Sequence, residues 1–170
     1  MPLHQITDSQ LRDNIRRYKE AGNETGGHYS LAQLLVEEKR RKPSPFPVVA
    51  MARKIIELSQ ASEDGQTTYL ELWRAFRPGV EWQGHGSQAA MGNALAQVVA
   101  YCVRHSLPII TVLVVQTSSR KLDRKAVENI YEECRTLGLD AGSDPCVFIQ
   151  KQKEASLQLI LDQLPEEPST

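Results

Sequence analysis

A chain of 170 residues with 41% apolar and 24% charged residues has the length of one domain and enough apolar side chains for a core. Its 20 Lys and Arg against 21 Asp and Glu leave a formal charge of −1, which excludes a globally basic nucleic-acid binder and confines such a role to local patches. No apolar run approaches the roughly 18 residues of a membrane span, and MPLHQITDSQ lacks the basic flank and apolar stretch of a secretory signal, so the expectation is a cytoplasmic protein with no membrane partner.

Thr7 is placed to cap a first helix over residues 8–21, with Leu11, Ile15 and Tyr18 at helical spacing. Ser30 followed by Gln33 is a capping box for a second helix, in which Leu31, Leu34 and Leu35 form the inward stripe. Lys39, Arg40, Arg41 and Lys42 close its last turn, where cations suit the helix dipole. PSPFP then imposes an extended, rigid connector, although RRKPSPFP also has the form of a proline-rich ligand. Pro47 fits the first turn of a third helix running to about Ser59, buried along Val48, Ala52, Ile55, Ile56 and Ser59. A turn at SEDGQ precedes a short fourth helix over 69–76, which RPGVEWQGHG breaks.

From Ser87 to Val103 there is no charged residue, while Met91, Leu95, Val98 and Cys102 follow a helical stripe and several alanines and Gly92 keep the girth small. A helix without charge around its circumference belongs at the centre, and Gly92 is expected to let neighbours pack close to its axis. LPIITVLVVQ, continuously apolar and β-branched, predicts a strand covered on both faces. A polar, basic loop, TSSRKLDRK, leads to a helix begun by Asp123 and stopped at Gly138. Ser143 and Pro145 suggest another helix leading to Leu157, Ile160, Leu161 and Leu164, with CVFIQ open as either helix or short strand. Residues 165–170 are expected to form a flexible tail.

Gly84-x-Gly86-x-x-Ala89 fits the loose dinucleotide-binding fingerprint. That fold needs a strand before the glycines and an acidic residue after the next strand. VEWQ is a poor strand, and the later apolar run ends in Gln116 and Thr117. The glycines are therefore expected only to turn the chain and start the helix, with a bound anion as the lesser alternative, and no cofactor is predicted. His85, Cys102 and His105 lack a fourth partner for a zinc site, so no metal is predicted. His28 is read as shaping a loop or capping a helix, and Glu37-x-Lys39 as part of a helix pattern instead of half a nuclease motif, which needs a strand and a preceding Asp. No Ser/His/Asp or Cys/His set stands out, so no catalytic residue is named. Cys102, Cys134 and Cys146 are odd in number and widely spaced, which predicts buried thiols and no disulfide framework. Trp73 and Trp82 should pack over the start of the long helix.

TTYLELWRAFRPG, QAAMGNALAQVV and LPIITVLVV, taken in order over about residues 67–115, resemble the winged-helix domain of alkylguanine-DNA alkyltransferases and alkyltransferase-like proteins. The matching positions are Tyr69, Glu71 and Leu72, then Ala90, Met91, Gly92, Ala94 and Leu95, then Pro108 and Ile109. Where that family carries Pro-Cys-His-Arg, this chain has Thr111, Val112, Leu113 and Val114, so alkyl transfer is not implied. Ala89 replaces the family's base-displacing arginine, and the helix is about two turns longer. The resemblance implies a winged-helix scaffold whose Tyr69 hydroxyl meets a phosphate and whose small-faced helix enters a groove.

The expected architecture is a mostly helical α+β domain over 1–164, with an N-terminal helical part (1–42), a winged-helix-like core (47–116) containing a long central helix at about 87–105 and a small sheet, and C-terminal helices (117–164). The expected function is non-enzymatic binding of double-stranded DNA or regulation. Tyr69, Ser87, Gln88, Asn93 and Gln97 would face the duplex, and Arg120, Lys121, Arg124, Lys125, Arg40 and Arg41 its phosphates. Two alternatives stay open: a protein-binding inhibitor or adaptor from a phage or mobile-element conflict system, and a nucleotide- or nucleic-acid-processing enzyme. The stripe from Leu157 to Leu164 would suit a homodimer.

Overall fold

The computed structural model describes residues 1–167, and within them the chain forms seven α-helices and a two-stranded parallel sheet. Helix α1 (Asp8–Ala21) and helix α2 (Leu31–Arg41) each begin in a reciprocal capping box, Thr7 with Gln10 and Ser30 with Gln33, which satisfies two of the N–H groups left free at a helix start. Gly22, at φ +65°, closes α1 in the left-handed conformation that favours glycine. Helix α3 (Val48–Ala61) starts one residue later than expected, with Pro47 as its cap and not within its first turn.

Strand β1 (Thr67–Thr68) was not legible in the sequence. Its Thr68 also caps helix α4 (Tyr69–Phe76) through a capping box with Glu71. Helix α5 (His85–Arg104) begins two residues ahead of the expected start. The predicted long strand over LPIITVLVVQ is a correction. Ile110–Leu113 forms a 3-10 turn, and only strand β2 (Val114–Val115) pairs, with Thr67 opposite Val114 and Thr68 opposite Val115. The burial was anticipated, since Ile109 to Val115 are all buried. The pairing was not, because helices α3, α5 and α7 wall the segment and β1 offers two residues of ladder.

Helix α6 (Arg124–Thr136) is capped by Asp123, and helix α7 (Pro145–Leu157) by Asp144, so residues 146–150 are helical. Helix α7 stops at Leu157 and does not continue to Leu164. Leu157 and Ile160 are exposed while Leu164 is buried in the core, so the stripe proposed for a homodimer is not one continuous face.

The main core gathers around α5, whose Met91, Val98, Ala100, Tyr101 and Cys102 are fully buried against α2, α3, α4 and the Ile110–Leu113 turn. A second cluster, Ile6, Leu11, Ile15 and Leu34, fastens α1 onto α2. Among the described residues no helix is long and apolar enough to cross a membrane. Residues 165–167, expected to belong to a flexible tail, are held by side-chain contacts to α3 and α5. Residues 168–170 lie outside the described residues.

Candidate nucleic-acid interface

The first turns of α5 present one outward face. His85, Gln88, Ala89, Gly92 and Asn93 are exposed, and their spacing of three and four residues places them on the same side. Gly84, at φ +55°, turns the chain into the helix. A β-carbon on Gly86 or Gly92 would meet nothing within 4 Å, which corrects the expectation that Gly92 admits a close neighbour. The small residues on this side leave a smooth, uncharged ridge open to solvent. On the opposite side Met91, Ala94, Leu95 and Val98 are buried.

Two of the four polar residues expected on that face are turned inward. Ser87 is 2% exposed, and its Oγ accepts from the Gln83 backbone N–H at 2.7 Å, closing the turn before the helix. Gln97 is 6% exposed and donates from Nε2 to the Lys42 carbonyl oxygen at 2.5 Å. That carbonyl belongs to the end of α2, where helix carbonyls lack intrahelical partners, so a polar side chain on the inner side of α5 satisfies it. Helical periodicity alone does not reveal this need. Gln88 and Asn93 remain exposed.

The basic residues divide in the same way. Glu37 is buried, and it accepts from Arg40 at 2.8 Å through both carboxylate oxygens and from Arg41 Nε at 2.7 Å. Arg41 also reaches the Ile6 carbonyl and Asp8, each at 2.8 Å, and Lys39 pairs with Glu133 at 3.0 Å. Arg41 therefore holds α1 and α2 together, while Arg40 is committed to Glu37 within α2. The signal for this was present, since Glu37 stands three and four residues ahead of them on a helix. Burial pushes the Glu37 carboxyl up, but the hydrogen bonds and charges of Arg40 and Arg41 outweigh it and hold the carboxyl below its ordinary value.

Beyond β2, residues 116–121 form a closed turn in which the Gln116 carbonyl accepts from Arg120 N–H at 2.9 Å. Arg120 has φ +51° and binds Asp64 through Nε and Nη2, both at 2.8 Å. The guanidinium holds the Asp64 carboxyl well below the usual carboxylate range. Arg124 pairs with Glu128 at 3.0 Å on the open surface, while Lys121 and Lys125 are exposed without a carboxylate partner among the described residues. Tyr69 is half-buried, and burial, then the charge of Asp123, raises its hydroxyl pKa. An acidic neighbour there disfavours a phosphate.

No family model, curated protein or solved structure matches the chain. Its chemistry must be read from its own geometry. Among the described residues no three His, Cys, Asp or Glu side chains group to hold a metal ion. His85 and His105 sit at opposite ends of α5, roughly 30 Å apart at 1.5 Å per residue. Burial pushes the Cys102 and Cys134 thiols up to about 12, while Cys146, expected to be buried, is exposed because it lies on the outer side of the first turn of α7. Trp73 donates from Nε1 to the Val80 carbonyl at 2.8 Å and meets Trp82 edge-on at 5.6 Å, which organises the loop ahead of α5.

Proposed function

We propose that the protein binds duplex DNA without catalysis, laying the His85–Asn93 face of α5 into a groove. The observation that carries this reading is that face itself: exposed, uncharged, bare beyond Cβ at Ala89 and Gly92, and bearing two amides that can pair with base edges. Lys121, Arg124 and Lys125, which are not drawn into the interior, supply charge for the phosphates. The scaffold we infer is winged-helix-like, with α4 and α5 as the helix pair and residues 116–123 in the place of the wing.

Fluorescence anisotropy with labelled duplex DNA over a salt series tests the reading. Three phosphate contacts predict a slope of log K against log salt of about −2.7. Gly92→Leu fills open space on the outer face, so it should preserve the fold and weaken binding at least tenfold. No binding at low salt overturns the proposal.

One observation favours a protein partner instead: Arg40, Arg41 and Arg120 are neutralised within the molecule, in a chain of net charge −1. On that reading a stoichiometric protein is recovered after nuclease treatment, and Gly92→Leu abolishes its capture while DNA binding is absent throughout.

A further inference from the structure

Beside the C-terminal half of α5, Glu166 and Glu167 of the segment Leu164–Glu167 form part of the wall of a groove of about 770 Å³, which is also lined by Arg40, Arg41, Lys42, Arg53 and Gln97. The segment is held at every residue. Leu164 is buried, the Tyr101 hydroxyl donates to the Pro165 carbonyl at 2.7 Å, and Arg53 meets Glu166 at 2.6 Å. One oxygen of Glu167 receives Arg104 Nε at 2.8 Å, Arg104 Nη2 at 2.5 Å and His105 Nε2 at 2.8 Å. Glu166 and Glu167 form part of the groove wall, whereas Arg104 and His105, which grip Glu167, do not line it. The acidic strap thus separates two of the molecule's cations from the groove.

The grip is incomplete. Arg104 Nη1 is buried and has no acceptor among the described residues. A guanidinium presents five N–H donors in a fixed fork, and burying one without a partner is costly. A carboxylate contacted through a single oxygen cannot serve the whole fork, whereas a phosphate carries more acceptor oxygens and more charge.

We propose that Arg104 and His105, with Arg53 on the adjoining side of the groove, form a phosphate-binding site, and that Glu167 occupies it in cis as a stand-in for the phosphate group. Phosphate entry displaces the Glu167 carboxylate and frees the strap. Arg104 lies about 17 Å along α5 from Asn93, on a different part of the helix from the His85–Asn93 face, so the phosphate site is tested separately from DNA binding there.

Titration calorimetry with inorganic phosphate tests this on the full chain. Glu167→Ala should bind inorganic phosphate at least tenfold more tightly than the unaltered protein, and Arg104→Gln in the same background should remove the gain. If Glu167→Ala does not fold, Glu167→Gln takes its place, with phosphate titrated against the His105 ring signals of the unaltered protein. Duplex DNA as a second titrant separates the sources. A matching gain for DNA assigns a backbone phosphate, and a gain confined to inorganic phosphate assigns a free phosphate or monoester. The proposal is overturned if the folded variant binds phosphate no better than the unaltered chain, if acetate binds as tightly as phosphate, or if phosphate leaves the His105 signals unmoved.

Discussion

Arg120 grips Asp64 with two N–H donors at 2.8 Å, and this fork joins the turn that follows β2 to the turn that precedes β1. The same guanidinium reaches the Ser62 hydroxyl at 3.2 Å and the Gln66 carbonyl at 3.3 Å. A side chain engaged on this many acceptors is a fastener of the two turns and a poor phosphate ligand.

Arg120→Ala should therefore quicken amide exchange across residues 116–121 and leave the salt slope of DNA binding unchanged. Lys121→Ala should do the reverse, making the slope shallower by about 0.9, the value for one lost phosphate contact. A drop of that size in the Arg120 variant would reassign Arg120 to the DNA.

Gln97 and Asn93 look alike in the sequence and should behave differently. Gln97→Ala removes the side-chain donor to the Lys42 carbonyl and should destabilise the protein by about 0.5–1.5 kcal/mol. Asn93→Ala, on the open face, should change stability by less than about 0.5 kcal/mol and instead weaken ligand binding. Urea denaturation and anisotropy on the two variants check both halves.

Glu37 should make the α1–α2 pair sensitive to acid. Its folded pKa lies below the ordinary value of 4.5, so the unfolded chain takes up a proton first and the stabilisation is full above that value. It is lost as pH falls from there through the lower folded pKa. Thermal unfolding between pH 7 and pH 3 should show a decline that Glu37→Gln flattens, that variant being less stable at pH 7 and converging with the unaltered protein in acid.

Gly92→Ala should stabilise the protein by about 0.5–1 kcal/mol, because alanine is the better helix former and the added carbon meets nothing. A loss of stability would mean that the outer face of α5 is covered.

In the native protein Cys146 alone should react rapidly with a thiol reagent, since Cys102 and Cys134 are buried and their thiols resist ionisation. All three should react in denaturant. Rapid labelling of Cys102 would contradict the position of α5 at the centre.

Local chemistry was well written in the chain. Thr7, Ser30 and Asp123 cap where their side chains can reach the next free N–H groups, and helix α4 occupies the span that its turn signals mark. Such signals act over three or four residues and need no knowledge of the rest of the fold. The site was less legible. Gln88, Asn93, Lys121 and Lys125 are exposed as expected, whereas Ser87, Gln97, Arg40, Arg41 and Arg120 are taken up by partners either distant in sequence or within four residues of them.

By itself, then, the sequence determined that helices would lie near these spans, that the uncharged helix would be central, and that residues 109–115 would be buried, because capping, periodicity and hydrophobicity are properties of short segments. Only the tertiary structure decided that the apolar run would pair over two residues, that Arg41 would reach across to Asp8 on α1, and that Glu167 would come to lie on Arg104. Each depends on which unpaired polar group meets which donor after the chain has folded, and that pairing is set by packing across tens of residues.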